Sequence, residues 1–286
     1  MSNNREQWGS KLGFILAASG SAVGLGNIWK YPHMAGQNGG AAFTVVYLIC
    51  ILIVGLPILL SELVIGRKTQ LSPVGAFNEL ANKSNWRWVG FIGVASAFVI
   101  LSFYGVVGGW TLRYTFFSLT GGFEALSGNP NASGDIFNSF ISDSINPIIW
   151  QLIFMSFCVG IIVKGVKSGI EEGSKIMMPL IIAILAVLAV RGVTLDGGSD
   201  GLTFLFKPKF SDLTPSSIVL ALGHAFFTLS LGMGTMITYG SYLDKKQNLF
   251  NSAIWVILLD TAIAMLAGTA IFTIVFAMGA DPSAGA

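Results

Sequence analysis

The sequence predicts an all-α membrane protein that crosses the bilayer several times. Hydrophobic residues make up 53% of its 286 residues, charged residues only 10%, and the mean hydropathy is +0.72. Soluble domains carry about 25% charged residues, so a soluble fold is excluded. Seven apolar runs are long enough to span a bilayer, and glycines interrupt the first and the sixth. The predicted spans are 11–36, 41–66, 89–119, 147–163, 170–192, 215–241 and 250–279.

The first predicted helix is interrupted near its middle by the segment Gly20-Ser21-Ala22-Val23-Gly24-Leu25-Gly26-Asn27. A glycine inside a helix costs roughly 1 kcal/mol relative to alanine, so helix propensity does not explain three of them. Irregular backbone persists in a membrane only where it lines a protein cavity. The segment therefore indicates a binding site at mid-membrane depth. Packing of small residues against another helix is the alternative for Gly20 and Gly24.

The second to fifth predicted helices are continuous. The second helix is an apolar run that carries one carboxylate, Glu62. The third and fourth helices are predicted because their apolar runs are long enough to span a bilayer. The loop between them, from Gly121 to Asn146, contains acidic residues but no Lys or Arg. The fifth helix contains Pro179, which permits a kink.

The sixth predicted helix contains a second interruption, Phe227-Thr228-Leu229-Ser230-Leu231-Gly232-Met233-Gly234. Two broken helices with four continuous ones between them match two inverted repeats of five helices each, an arrangement of transporters. We therefore expect residues 1–192 to form the first repeat, with helices one to five. Residues 193–286 would begin the second repeat with helices six and seven.

The seventh predicted helix contains Asp260 among otherwise apolar neighbours. A carboxylate inside a membrane span is costly and is by default functional. The alternative is an aspartate at the end of a misplaced span.

Positive charges predict the orientation. With the N-terminus in the cytoplasm, eleven of the sixteen Lys and Arg residues fall on the inside and five on the outside. The C-terminus then lies outside. We expect a multi-pass protein of the plasma membrane.

Several function classes fit poorly. The net charge of +2 gives no reason to expect nucleic acid as a partner. Cys50 and Cys158 lie in apolar spans and are interpreted as buried small hydrophobes, not as a disulfide or metal site. No His-Glu-x-x-His motif occurs, and we expect no enzyme. A channel would need a continuous polar lining, which the spans lack.

The motifs of this chain resemble those of the neurotransmitter:sodium symporter family, the sodium-coupled amino-acid and amine transporters, and the resemblance covers the whole chain in order. The matching motifs are Arg5-Glu6-Gln7-Trp8, the run from Gly20 to Pro32, Asn38-Gly39-Gly40, Gly55-Leu56-Pro57 with Glu62, Gly66-Arg67, and Phe226-Phe227-Thr228-Leu229-Ser230-Leu231-Gly232.

The resemblance implies a five-plus-five inverted-repeat transporter fold, unwound at mid-membrane in the first and sixth helices. Family members have eleven or twelve helices, so we expect a bacterial-type N-terminal fragment, truncated after the seventh helix. The implied activity is sodium-coupled, chloride-independent symport of a neutral, apolar amino acid into the cell by alternating access. The alternatives are a truncated fragment inactive in transport, or a helical membrane channel or structural subunit.

The resemblance also implies two sodium sites, and oxygen ligands suit this hard cation. The first would use the Ala22 carbonyl with the side chains of Asn27, Thr228 and Asp260. The second would use the carbonyls of Gly20 and Val23, with its remaining ligands on an eighth helix outside this chain.

The implied substrate site lies between the half-helix ends, where free N–H groups suit a carboxylate and free carbonyls suit an ammonium. Glycine stands at position 24, where amine transporters carry aspartate, so amines are not expected as substrates. The assigned residues are Ser21, Ala22, Gly24, Leu25, Gly26, Ile100, Tyr104, Phe227, Thr228, Ser230 and Met233. Sodium, the amino acid and the lipid bilayer are the expected partners, with a homodimer left open.

Chloride and gate positions complete the assignment. The family's chloride ligands fall on Tyr47, His224, Thr228 and Ala264. His224 stands where the family usually has glutamine, and Ala264 offers no ligand. Asp260 would supply the negative charge that the anion otherwise provides. A pairing of His224 with Asp260 is a further hypothesis. The implied gating residues are Arg5, Trp8 and Lys30.

Overall fold

The architecture is entirely helical over the residues that a computed structural model describes, which are 6–82, 84–123 and 132–283, without the side chains of 132 and 133. A single 3₁₀ turn spans Phe210–Asp212. The helices are α1 (Lys11–Ala22), α2 (Gly26–Gln37), α3 (Ala41–Thr69), α4 (Pro73–Leu80), α5 (Arg87–Leu119), α6 (Ala132–Ser142), α7 (Asn146–Ile162), α8 (Val166–Val193), α9 (Gly198–Phe206), α10 (Pro215–Thr228), α11 (Thr235–Gly240) and α12 (Leu249–Ala277).

Both predicted interruptions are present. The axes of α1 and α2 differ by 51° across the first break, and residues 229–234 separate α10 from α11 at the second. Among the described residues, α3, α5, α8 and α12 are each long and apolar enough to cross a membrane. Two bent pairs, α1 with α2 and α6 with α7, raise the number of candidate spans to six, and α10 is a shorter apolar helix. The prediction of an all-α polytopic membrane protein is confirmed.

Three short helices, α4, α6 and α9, were not predicted. The predicted loop from Gly121 to Asn146 contains α6, whose eleven residues include Asp135 and several small polar side chains. Such a short helix has too few apolar residues for span prediction to detect it. Asp143, the last acidic residue of the predicted loop, follows α6. Its carboxylate caps α7 by accepting the N–H groups of Ile145 and Asn146 at 2.7 and 2.8 Å.

The chain divides into two compact units that differ from the predicted repeats. The first unit contains Met1–Val94 and Val166–Ala286, and the second contains Ala95–Gly165. This division into compact units does not test the predicted boundary between the two repeats at residue 192, which stays a prediction.

In the first unit, α12 packs against α1, α8 and α9, while α3 packs against α10 and α11. The core of this unit therefore surrounds both breaks. Its largest fully buried side chains include Phe14, Tyr31, Phe43, Tyr47, Leu59 and Leu229.

In the second unit, α5 approaches α7 closely at a glycine. A Cβ added at Gly109 would lie 2.6 Å from the backbone nitrogen of Gln151. The rings of Phe116 and Trp150 meet nearby, with centroids 5.8 Å apart. Small residues thus allow the two helix backbones to come together.

A π-turn in α3 keeps one side of that helix buried. Tyr47, Ile51, Gly55 and Leu59 are all buried and recur every four residues. In a straight α-helix of 3.6 residues per turn, each such step would drift by about 40°. The wider turn at Ile51–Gly55 absorbs that drift. Pro57, which follows it, lacks an N–H group and disfavours an ordinary helical turn here.

Candidate functional site

The two breaks meet inside the first unit. The Ser230 hydroxyl donates to the carbonyl of Ser21 at 3.0 Å. Gly26 faces the second break, because a Cβ added there would lie 3.4 Å from the Phe227 ring and 3.6 Å from Cα of Thr228. The two interrupted segments therefore face each other at Gly26 and Phe227.

The first break exposes backbone groups of both polarities. α1 ends where the Val23 N–H donates to the carbonyl of Ser19 at 2.6 Å. The chain re-enters a helix where the Gly24 carbonyl accepts the N–H groups of Asn27 and Ile28, each at 3.1 Å. The last carbonyls of α1, including those of Gly20 and Ala22, and the first N–H groups of α2 have no partner within their own helix.

A fully buried polar cluster lies beside these breaks and consists of Asn27, Thr228 and Asp260. The Asn27 amide nitrogen donates to Oδ1 of Asp260 at 2.8 Å and to its carbonyl at 3.0 Å. The Thr228 hydroxyl donates to the same carboxylate at 3.0 and 3.2 Å. The side-chain oxygen Oδ1 of Asn27 accepts the Gly24 N–H at 3.2 Å. The structure thus brings three predicted sodium ligands together from three different helices.

The Asp260 carboxylate has no cationic partner in the described part of the chain, where both ion pairs involve Lys175. Burial of an uncompensated charge is costly, and a bound cation would offset that cost. The oxygens of a carboxylate, a hydroxyl and an amide are the ligands that a hard cation prefers. The described residues contain no cluster of three or more His, Cys, Asp or Glu side chains, so they offer no transition-metal site. The donor set fits sodium.

Glu62 has a role at the second break that the motif alone did not reveal. Its Oε1 atom accepts the N–H of Gly232 at 2.7 Å, across 170 residues of sequence. The side chain lies in α3 and is almost fully buried. A carboxylate in an apolar span was the available signal, but its partner is visible only in the tertiary structure.

The hypothesis that His224 pairs with Asp260 is wrong. Among the described residues, neither ring nitrogen of His224 has a hydrogen-bond partner, although the residue is almost fully buried. Its ring packs against those of Tyr31 and Tyr47, with centroids 6.1 and 5.0 Å away. Asp260 instead directs its oxygens to Asn27 and Thr228. The remaining chloride position, Ala264, is fully buried and apolar.

Most predicted substrate residues lie at the breaks of the first unit. These are Ser21, Ala22, Gly24, Leu25, Gly26, Phe227, Thr228, Ser230 and Met233. Ile100 and Tyr104 lie on α5 within the second unit. Their assignment to the substrate site stays a prediction.

The predicted second sodium position lies at the end of α1. Val23 packs with Met178 and Leu185 of α8 and with Ile263 and Ala267 of α12. Gly20 faces the same helix α8, because an added Cβ would lie 3.4 Å from Sδ of Met178. α8 therefore borders the carbonyls assigned to this position.

Two of the three predicted gating residues have defined contacts. The Lys30 ammonium lies 4.0 Å from the centroid of the Phe227 ring. The Trp8 indole donates to the carbonyl of Tyr239 at 3.0 Å and contacts the rings of Phe14 and Tyr242. Arg5 lies outside the described residues.

The chain is similar to known proteins over most of its length. A family model described as the sodium:neurotransmitter symporter family matches residues 5–130 and 136–283. An uncharacterized sodium-dependent transporter of Bacillus subtilis is 44% identical over 98% of this chain, and one of Methanocaldococcus jannaschii is 37% identical over 94%. The human sodium-dependent neutral amino acid transporter SLC6A17 is 30% identical over 95%.

A solved structure is also similar. The crystal structure of MhsT in complex with L-phenylalanine shares 50% identity with a TM-score of 0.91, and the match covers 99% of this chain and 64% of MhsT. The chain spans 61% of the length of the Bacillus relative, 55% of the Methanocaldococcus relative and 41% of the human one.

Proposed function

This chain belongs to the sodium:neurotransmitter symporter family, and from that premise we propose that it carries a neutral, apolar amino acid into the cell together with sodium. Transport proceeds by alternating access and needs no chloride. The observation that carries the proposal is the fully buried Asp260 carboxylate, which has only neutral partners among the described residues.

Sodium at the first site would be held by Asp260, Thr228, Asn27 and the carbonyl of Ala22. The side chains of Thr228 on α10 and Asp260 on α12 place three oxygen atoms in a dry environment, where attraction to a cation is strong. A second sodium would use the carbonyls of Gly20 and Val23 at the end of α1. Both sites depend on the same break, so filling them would order the segment between α1 and α2.

The substrate would lie between the two breaks. The first N–H groups of α2, near Leu25 and Gly26, favour a carboxylate, since they lie at the positive end of the helix dipole. The carbonyls at the ends of α1 and α10 favour an ammonium. An amino-acid zwitterion satisfies both ends, with Ser21, Phe227, Ser230 and Met233 beside its side chain and Ile100 and Tyr104 contributed by α5.

Three observations support the narrower parts of the proposal. Gly24 leaves space for the carboxylate of an amino acid, which a biogenic amine lacks. Asp260 carries the negative charge that chloride would otherwise provide, while Ala264 offers no anion ligand. MhsT, the solved relative, was crystallised with L-phenylalanine, which supports an apolar amino acid as the substrate class.

The test is uptake of radiolabelled L-phenylalanine by liposomes that contain the protein expressed from its whole reading frame. Uptake driven by an inward sodium gradient should collapse when potassium replaces sodium. Phenethylamine, which has the same ring and ammonium but no carboxylate, should not compete. Equal uptake in the two salts would refute sodium coupling.

The same liposomes distinguish the rival class. A channel would conduct sodium without any amino acid and would not saturate with substrate. A symporter moves sodium only with its substrate. Sodium flux that is independent of L-phenylalanine would favour the channel.

A further inference from the structure

Gly55 lies where α3 touches the second break. It is buried at the end of the π-turn Ile51–Gly55. A Cβ added to it would lie 2.8 Å from Cδ1 of Leu229, the residue directly after α10. Leu229 is fully buried. Its side chain therefore occupies a notch that glycine leaves on the surface of α3.

The backbone of Gly55 does not itself require glycine. Its φ and ψ are −61° and −51°, which any residue adopts in a helix. Glycine inside a helix is otherwise unfavourable relative to alanine. The missing side chain is thus the property that matters at this position.

Leu229 lies between two residues of the proposed site. Thr228, before it, donates its hydroxyl to Asp260 at 3.0 Å. Ser230, after it, donates its hydroxyl to the carbonyl of Ser21 at 3.0 Å. The depth at which the Leu229 side chain enters the notch therefore sets the position of the backbone from which both hydroxyl groups project.

The segment after Leu229 is strained and needs external support. Ser230 has φ of +54°, a left-handed conformation that is unfavourable for a residue with a side chain. Such a conformation persists only where its surroundings over-determine it. α3 supplies a contact on each side of Ser230, since Gly55 receives Leu229 and Glu62 accepts the N–H of Gly232. The two α3 residues lie seven positions apart, about two helical turns.

We propose that Gly55 is a positioning residue for the cation and substrate site. Its missing side chain lets Leu229 seat against α3, and this contact places Thr228 beside Asp260 and Ser230 beside Ser21. The proposal rests on the proposed function for the identity of the ligands, but the placement of the segment can be measured without them.

The test uses Gly55→Ala in the full-length protein. An added methyl displaces Leu229, so hydrogen exchange should accelerate at the amides of Ser230 and Leu231, which donate to Phe227 and Phe226 at 3.1 and 3.0 Å. Apparent sodium affinity should fall by about tenfold, the equivalent of about 1.4 kcal/mol. Gly223→Ala is the matched control on α10, because nothing lies within 4 Å of its added Cβ. It should change neither measurement.

A double mutant separates positioning from general damage. Leu229→Ala removes the atom that the new methyl meets, so Gly55→Ala should have at least about threefold less effect on sodium affinity in that background. If Gly55→Ala alone fails to fold, recovery of folded protein in the double mutant supports the proposal and no recovery overturns it.

Two further outcomes overturn it. One is unchanged exchange at Ser230 and Leu231 in Gly55→Ala, and the other is an equal effect of Gly55→Ala with and without Leu229. If the wild type binds no sodium, the proposed function fails, and the exchange measurement still decides the placement of the segment.

Discussion

At the scale of single residues, Asp260 and Asn27 form the most constrained pair in the site. Asn27 contacts Asp260 through both the side chain and the main chain, at 2.8 and 3.0 Å. An amide can donate to the carboxylate but cannot neutralise it. The remaining negative charge in a buried place is the physical reason why we propose a cation site at this point.

We expect Asp260→Asn to weaken sodium binding by at least about tenfold, or about 1.4 kcal/mol, because the substitution removes the charge and keeps the shape. Wild-type binding should be equal in chloride and in gluconate. Added chloride should restore little in the variant, since Ala264 provides no ligand for an anion. Sodium-dependent binding of labelled substrate measures all of these.

The control for this substitution is Asp200→Asn, which alters an exposed aspartate in α9. It should leave sodium affinity unchanged. A strict chloride requirement in the wild type would contradict the role assigned to Asp260.

At the scale of helices, two carboxylates join the segment before α1 to α8. Glu171 in α8 accepts the N–H of Gly9 at 2.6 Å and the hydroxyl of Ser10 at 3.0 Å. Glu6, before α1, accepts the N–H groups of Val166 and Lys167 at 3.0 and 2.9 Å. The first N–H groups of a helix lack partners within it and carry partial positive charge, so the Glu6 carboxylate stabilises the start of α8.

We predict that Glu6→Gln loosens the start of α8. Loss of the charged acceptor should increase hydrogen exchange at Val166 and Lys167 by about threefold or more, the size expected for removal of a helix cap. Glu172→Gln is the control, because Glu172 is an exposed neighbour that binds Lys175 instead. Equal exchange in Glu6→Gln and the control would show that the cap contributes nothing.

The same contact gives a pH dependence. The N–H groups of Lys167 and Val166 lower the pKa of Glu6 below its ordinary value. A lowered pKa in the folded state stabilises that state above the ordinary pKa of glutamate, and the stabilisation is lost as pH falls through the lowered value. The protection of the Val166 amide, measured relative to the intrinsic exchange rate at the same pH, should therefore fall in acid in the wild type and change less in Glu6→Gln.

At the scale of the whole molecule, the charge distribution sets the orientation in the membrane. Asp143 is exposed between α6 and α7, and Asp244 is exposed between α11 and α12. The excess of Lys and Arg on one side predicts that Asp143 faces the exterior and Asp244 the cytoplasm.

Single cysteines test this orientation. In a background with Cys50 and Cys158 replaced by alanine, Asp143→Cys should react with a membrane-impermeant maleimide added to intact cells. Asp244→Cys should react only after the membrane is permeabilised. The opposite labelling pattern would reverse the proposed topology.

Features that depend on local composition could be predicted from the order of the amino acids alone. Apolar length predicted the membrane helices, and glycines predicted both breaks, because a helix interrupted in a membrane must line a protein cavity. Asp260 was predicted as functional since a carboxylate in an apolar span is costly. Motif matching assigned Asn27 and Thr228 to the same site. The short helix α6 escaped prediction because its eleven residues carry little apolar signal.

Only the tertiary structure decided which groups meet across long stretches of chain. Asn27 contacts Asp260 across 233 residues and Glu62 contacts Gly232 across 170. The notch at Gly55 has an ordinary helical backbone, so its importance is visible only through the side chain of Leu229 that fills it. His224 has the chemistry to pair with Asp260, yet its ring packs against two tyrosine rings instead. Residue types and spacing specify what a side chain can bind, whereas helix packing selects which partner it reaches.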